Sequence, residues 1–205
     1  MTTTRSIVES ALKRVRVIGL GEDAPGEYAT HVLGTLNDMM HGWAFSGVDI
    51  KHTDLALSDT FWFPVPPKGI DADAIAAMAY QGTWNASTNS PSLTTATGTQ
   101  GYYYRVSTAG STTLDDVTSW TVDGIAIFDG TAWLKGPSSR MFEGGVIDML
   151  AQDIAEDFGV DLTRKIVEGA ADGWLAIQAH YVVPRAASFD NGLVRTTSRR
   201  YEELS

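Results

Sequence analysis

Apolar residues recur at every third or fourth position in four stretches of the chain, two before residue 45 and two after residue 137. This spacing lines them along one face of a helix, so it predicts four amphipathic helices. The first begins near Ser6, which stands three residues before Glu9 as in a capping box, and ends at residues 19–21. The second begins near Pro25.

The second pair of helices is bounded by similar signals. The third helix begins near Ser139 and ends at Gly159, a residue suited to the left-handed conformation that closes helices. The fourth begins after Asp161 and stops before Pro184. Because none of the four helices buries its apolar face alone, we expect the two pairs to complete one antiparallel four-helix bundle.

Between the helical pairs the apolar period changes to two. Residues 54–64 are expected to form a short strand or an extended arm, and Asp71 to Tyr80 one short helix. Residues 81–136 alternate in polarity and contain Asp129-Gly130, a strong hairpin signal, so they are expected to form a small antiparallel β module.

The predicted fold class is therefore α+β, a helical bundle that carries an inserted β module and an extended C-terminal arm. The expected divisions are residues 1–80 (first helical hairpin and connecting arm), 81–136 (β module), 137–183 (second helical hairpin) and 184–205 (C-terminal arm). The arm contains few apolar side chains, so a partner is expected to order it.

Composition narrows the function classes. The 205 residues carry a net charge of −10, which disfavours a general nucleic-acid binder. There is no cysteine, so disulfide scaffolds and thiolate chemistry are excluded. No apolar run is long enough to cross a bilayer, and the N-terminus has no signal-peptide core, so we expect a soluble protein made in the cytoplasm.

No motif in the sequence predicts catalysis, a metal or a cofactor. The four histidines lack the spacing of a metal site, and Gly19-Leu20-Gly21 is a lone GxG motif that stops a helix. A wall-degrading glycosidase needs two carboxylates held in one cleft. The candidate catalytic carboxylates in this chain occupy positions that we expect to be solvated. They are Glu9, Glu22, Glu27 and Glu143.

Aromatic residues of the β module allow two interpretations. They form the core of a small domain, or they are exposed and stack on the sugars of a glycan. The residues concerned are Trp84, Tyr102, Tyr103, Tyr104, Trp120, Phe128 and Trp133. Because Tyr102 and Tyr104 point away from it, Tyr103 is the candidate for an exposed face of the module.

Two stretches of the chain resemble virion proteins of tailed bacteriophages. Residues 6–50, with LNDMM at residues 36–40 followed by Trp43, resemble the start of head-to-tail connectors of the tail accessory, or packaged-DNA stabilisation, family. The "LA..IA..FG" pattern at residues 150–159 is similar to the same family. The middle of the chain, with GTWNA, GYYY.VS..G and FDGTAW.K, resembles a small β module of phage fibre proteins. Most copies of that module have Gly-Asp where this chain has Asp123-Gly124.

The resemblance implies a structural, non-enzymatic head-completion protein in the virion neck. Such a protein forms a homo-oligomeric, twelvefold ring below the portal protein, extends the channel for packaged DNA without binding it specifically, and holds the downstream tail or nozzle protein. It needs no cofactor, metal or membrane, and its β module is a docking point for a fibre. The C-terminal arm is implied to contact the portal through Phe189, Arg195, Arg199, Arg200 and Tyr201. The alternatives are a glycan-binding adhesin, which uses the β module, and a peptidoglycan hydrolase.

Overall fold

The computed structural model describes residues 2–51 and 53–181 of the chain. These residues form a mixed α/β fold with five helices and one four-stranded sheet. The α-helices are α1 (Thr4–Arg14), α2 (Gly26–Gly42), α3 (Ala72–Ala76), α4 (Glu143–Ile154) and α5 (Arg164–Tyr181). The strands are β1 (Ala79–Asn85), β2 (Tyr102–Thr108), β3 (Ile125–Phe128) and β4 (Trp133–Gly136). The prediction that helices and a small sheet occur together is confirmed.

The four longer helices share one apolar core. α4 contacts α1, α2 and α5, and residues from all four helices lie in a single buried cluster. Leu12 of α1, Leu36 of α2, Ile154 of α4 and Ile177 of α5 are each 0% exposed. The apolar spacing in the sequence therefore identified the buried faces of these helices correctly.

α1 begins and ends earlier than its sequence signals suggest. Thr3 is its N-cap, and the Thr3 hydroxyl accepts a hydrogen bond from the Ser6 amide at 3.2 Å. The capping box predicted at Ser6 is thus wrong, because Thr3 satisfies the free amide one turn earlier. The helix ends at Arg14, and Arg16 takes a left-handed φ of 61°, so the chain turns before the glycines at residues 19 and 21.

Residues 53–67, the arm, contain one turn at residues 56–59 and are otherwise largely extended, without joining the sheet. The amide of Phe61 donates to the carbonyl of Thr2 at 3.0 Å, and Thr3 and Thr60 form an isolated bridge. The ring of Phe63 meets the ring of Trp43 edge-on, with the centroids 5.7 Å apart. Of the two forms predicted for residues 54–64, the structure has the extended arm.

The end of α5, the arm and β4 meet at one joint. The Tyr181 hydroxyl donates to the carbonyl of Pro64, and Nδ1 of His180 donates to the carbonyl of Pro66 at 2.7 Å. On the other side of the arm, a Cβ atom on Gly136 of β4 would collide with the carbonyl of Val65. The arm therefore lies directly between the last turn of α5 and the edge of the sheet.

The sheet has the strand order β1-β2-β3-β4 and is mixed, which corrects the predicted antiparallel module. β1 pairs with β2 in parallel, whereas the other two pairs are antiparallel. The connection formed by residues 86–101 is long enough for the crossover that parallel strands require. β1 also begins at Ala79, so the predicted helix ends at Ala76 instead of Tyr80.

The hairpin predicted at Asp129-Gly130 is confirmed. β3 and β4 pair in antiparallel register, with Phe128 opposite Trp133. Oδ1 of Asp129 accepts hydrogen bonds from the amides of Thr131 and Ala132 at 2.7 and 2.8 Å. This carboxylate closes the connecting loop.

Both faces of the sheet are covered. Trp84, Val106 and Trp133 pack into one buried cluster on the first face. Tyr103 and Ile127 lie in a second cluster on the other face, where α3 covers them. The sheet is therefore a layer between two apolar clusters, with no fully solvated face.

The predicted C-terminal arm and its portal contacts fall outside the part of the chain that the structure describes. The residues concerned are Phe189, Arg195, Arg199, Arg200 and Tyr201. Among residues 2–51 and 53–181, no helix combines the length and the apolar character that crossing a membrane requires.

Candidate functional site: a cleft between the arm and the sheet

A cleft of about 500 Å³ opens between the arm and strands β1 and β2. The arm contributes Trp62 and the residues on either side of it, and the strands contribute Tyr80, Tyr103 and Arg105. The volume lies in the range of small-molecule sites in proteins. Because its walls come from two separate parts of the chain, the cleft exists only when the arm is packed against the sheet.

Three aromatic rings line this cleft in sequence. The centroids of Trp62 and Tyr80 are 5.9 Å apart with an interplanar angle of 44°, and those of Tyr80 and Tyr103 are 5.6 Å apart at 39°. These distances are those of rings in direct contact. The side chain of Tyr80 is 50% exposed, so part of its ring faces the open cleft.

Tyr103 lines the floor of the cleft and is only 4% exposed, which corrects the prediction of an exposed module face at this residue. The alternation along β2 was inferred correctly, but α3 and the arm cover the face on which Tyr103 lies. Burial, with a smaller contribution from Tyr80, raises the pKa of Tyr103 to about 12. The hydroxyl is therefore protonated at neutral pH and is able to donate a hydrogen bond.

The Trp62 wall of the cleft is held by Arg105 and Asp123. The indole N–H of Trp62 donates to the carbonyl of Asp123 at 2.9 Å. The guanidinium of Arg105 lies 5.1 Å from the centroid of the Trp62 ring, a cation–π distance. The Arg105 Nη2 and Nε atoms donate to Oδ1 of Asp123 at 2.6 and 3.1 Å.

Asp123 is a buried carboxylate that connects the sheet to the helical side of the molecule. It is 2% exposed, and its second oxygen, Oδ2, lies 3.0 Å from Nε of Arg140, which precedes α4. Two guanidinium groups thus compensate one desolvated negative charge. Asp123 takes a left-handed φ of 64°, and a Cβ atom on Gly124 would lie 2.9 Å from the carbonyl oxygen of Gly136. The order Asp-Gly therefore suits this turn. The first residue must supply the carboxylate that binds the two guanidinium groups, and the second must be a glycine because it lies against the carbonyl of Gly136.

The rim of the cleft is polar and carries paired charges. Lys51 forms an ion pair with Asp49, so its ammonium group is already compensated. Oδ2 of Asp59 accepts a hydrogen bond from the amide of Ala56 at 2.7 Å. The hydroxyls of Thr53 and Thr60 complete this side. The cleft thus combines aromatic rings and neutral hydroxyls with the Lys51–Asp49 ion pair and the carboxylate of Asp59.

A second groove, about 430 Å³ in volume, lies on the helical side between α2, α4 and α5. Its walls include the apolar side chains of Met39, Trp43, Val167 and Trp174. Phe45, which precedes the groove residue Ser46 in the turn after α2, is 96% exposed. On α5, the groove residue Val167 is 43% exposed, and Leu175, which follows the groove residue Trp174, is 62% exposed. This surface, called here the α5 surface (Phe45, Val167, Trp174 and Leu175), is apolar, and the residues that the structure describes do not cover it.

Three of the four acidic residues considered for hydrolysis have a partner among the described residues. Glu9 pairs with Arg5, and Glu22 accepts a hydrogen bond from the amide of Gly19 at 2.8 Å. Oε2 of Glu143 accepts from the hydroxyl of Thr2 at 3.0 Å. Glu27 lies in the first turn of α2. None of these four residues lines the cleft.

Histidines and carboxylates do not gather into a metal-binding group anywhere in residues 2–51 and 53–181. His31 instead pairs with Asp157 at 2.9 Å, and His41 pairs with Asp54 at 2.8 Å. His52, the remaining histidine of the loop before the arm, lies outside the described residues.

Most of the module aromatics form its core, which is the first of the two interpretations of the sequence. Trp84, Trp120, Phe128 and Trp133 are at most 3% exposed, whereas Tyr102 is 39% exposed. Sequence patterns alone did not identify the cleft residues Trp62 and Tyr80 or the role of Asp123. Their proximity depends on packing between distant parts of the chain. The only local signal was the unusual run of aromatic residues around Trp62.

Comparisons with known proteins leave the family of this chain open. No family model matches the sequence, and no curated protein matches it either.

Proposed function

We propose that this protein is a structural component of a bacteriophage virion, a head-to-tail connector that forms a homo-oligomeric ring below the portal. In this role it extends the DNA channel, helps retain packaged DNA and provides the platform for the tail. The proposal starts from the resemblance of residues 6–50 and 150–159 to connector proteins and of the β module to fibre proteins. Agreement between these two independent stretches on a virion protein supports it.

The proposed architecture is an antiparallel four-helix bundle into which the β module, residues 81–136, is inserted. One shared apolar cluster among α1, α2, α4 and α5 supports the bundle. A separate cluster around Trp84 and Trp133 supports a module with its own core. The Asp123–Arg140 ion pair would fix the orientation of the module on the bundle.

The observation that carries the proposal of a ring is the α5 surface. Single exposed apolar side chains are common, but a groove bordered by several of them is typical of an interface. Phe45 at 96% exposure and Leu175 at 62% have no cover from the described residues. In a ring, each copy would bury this surface against a different face of its neighbour, as head-to-tail association requires.

The partners in this proposal are binding partners and not substrates. Residues 184–205 would contact the portal, through Phe189, Arg195, Arg199, Arg200 and Tyr201. The tail or nozzle protein would bind the opposite side of the ring, and a fibre would dock on the module. The net charge of −10 fits a channel that lets DNA slide, since acidic walls repel phosphate groups.

Mass photometry of the full chain, alone and mixed with the portal protein of the same phage, tests this function. A many-copy complex that forms with the portal is the expected result. Replacement of Phe45 and Leu175 by serine should abolish ring formation and leave the fold intact. The matched control, Tyr102→Ser, changes an exposed aromatic residue on the sheet and should leave the ring unchanged. A protein that ignores the portal would overturn the proposal.

A further inference from the structure

The cleft between the arm and the sheet combines an aromatic wall with an unused hydroxyl on its floor. Tyr103 is 4% exposed, and its hydroxyl forms no hydrogen bond with the described residues. Among the described residues, only Ser139 and Glu143 have a side-chain polar atom that is both fully enclosed and without a hydrogen-bond partner. The hydroxyl oxygen of Tyr103 is therefore not sealed from solvent. A buried side chain that lines a cleft and keeps a polar atom without a hydrogen-bond partner is a typical element of a binding site.

The charges around the cleft disfavour ionic ligands. Arg105 is compensated by the buried carboxylate of Asp123, and Lys51 by Asp49. Asp59 on the same rim adds a negative charge, which would repel a phosphate group. A quaternary ammonium group is equally disfavoured, since the Arg105 guanidinium already lies 5.1 Å from the Trp62 ring.

Because ionic ligands are disfavoured, the cleft best suits a neutral ligand that has both apolar faces and hydroxyl groups. The half-exposed ring of Tyr80 offers a stacking surface beside Trp62. The hydroxyls of Tyr103 and Thr60 and the carboxylate of Asp59 supply donors and acceptors around it. We propose that this cleft binds a neutral saccharide, with a pyranose ring stacked on Tyr80 and a sugar hydroxyl bonded to the Tyr103 hydroxyl. This site is independent of ring formation, because the α5 surface lies on other elements.

Saturation-transfer NMR tests the proposal with four defined probes on the full-length protein. The probes are tetrasaccharides of α-linked glucose, β-linked glucose, β-linked galactose and β-linked N-acetylglucosamine. Transfer to at least one tetrasaccharide is the expected result, and inorganic phosphate should not compete with it. The affinity of the best probe is then measured by calorimetry for each variant.

Two pairs of variants separate a binding role from a structural one. Tyr103→Phe removes only the hydroxyl and should weaken binding about threefold to tenfold, the range of one hydrogen bond. Tyr80→Ala should weaken binding about tenfold or more, because it removes the stacking ring. The controls are Tyr102→Phe and Tyr102→Ala, since Tyr102 is the exposed neighbour on β2 and does not line the cleft. Both control variants should bind like the unchanged protein.

Three results would overturn the saccharide site. The first is the absence of transfer to all four tetrasaccharides. The second is binding that Tyr80→Ala and Tyr103→Phe leave unchanged while the variants remain folded. The third is competition by inorganic phosphate, which would indicate an anion site instead. The portal experiment is separate, so failure of this proposal and failure of the connector function would be told apart.

Discussion

Gly145 of α4 and Gly173 of α5 touch backbone to backbone: a Cβ atom on Gly145 would lie 2.5 Å from the Cα atom of Gly173. The two helices cross at this point without any side chain between them. Gly169, one turn earlier in α5, instead lies against a side chain, the carboxylate of Asp148. Close contact of α4 and α5 therefore depends on glycine at residues 145 and 173.

Gly173→Ala is expected to destabilise the protein although alanine favours helices. The added methyl group must push α4 and α5 apart, and overpacking of this kind costs about 1–3 kcal/mol. The matched control is Gly34→Ala in α2, where nothing lies within 4 Å of the added atom. That substitution should stabilise the fold by about 0.5–1 kcal/mol. Urea unfolding of both variants measures the two changes in the free energy of unfolding. A change of the same sign in both variants would contradict this account.

Asp123→Ala is expected to cost about 3–5 kcal/mol of unfolding free energy, because it leaves the guanidinium of Arg105 buried without its partner. Asp123→Asn keeps the shape and tolerates the φ of 64°, so its loss should be smaller. Asp116→Ala is the control, since Asp116 is exposed on the same module. Chemical unfolding of the three variants checks the order. A loss for Asp123→Ala no larger than for Asp116→Ala would show that the ion pairs do not hold the module.

Thr3→Ala tests where α1 begins. The Thr3 hydroxyl caps the helix, so its removal should lower the unfolding free energy by about 1 kcal/mol, whereas Thr3→Ser should retain most of the stability. Thermal unfolding followed by circular dichroism measures both. If Ser6→Ala proves more costly than Thr3→Ala, the cap lies at Ser6, as the sequence pattern suggested.

His180→Gln tests a pH effect at the joint. Burial, the larger cause, and the nearby Lys68 lower the pKa of His180 below its usual 6.5. The folded protein therefore binds this proton less readily than the unfolded chain, and stability is lost as the pH falls from 6.5 towards the lower folded pKa. The loss of unfolding free energy between pH 7 and pH 5 should be smaller for His180→Gln than for the unchanged protein. The same pH dependence in both proteins would contradict a role for this histidine.

Much of the helical framework follows from the sequence because helix periodicity is local. The apolar stripe of α2, which contains Leu36, was identified from neighbours within a few residues. The left-handed conformation of Gly159 was identified in the same way. The hairpin at Asp129-Gly130 is another local signal that was correct.

The remaining features depend on contacts between distant residues. The parallel pairing of Ala79 with Tyr102 depends on how the intervening chain crosses over, which no pattern of period two reveals. Tyr103 alternates as expected, but its burial depends on α3 and the arm. For the same reason, neither Trp62 nor Asp123 stood out as a site residue, since the hydrogen bond between them spans 61 positions of the chain.

The joint at the end of α5 has a mechanical consequence. Tyr181 and His180 anchor the last described turn of the helix to Pro64 and Pro66, and the arm presses on Gly136 of β4. A load applied to the chain beyond residue 181 would pass into the arm and the sheet before it could unwind α5. Pro64 also lines the cleft, so tension on the C-terminus would be transmitted to the site where we place the saccharide.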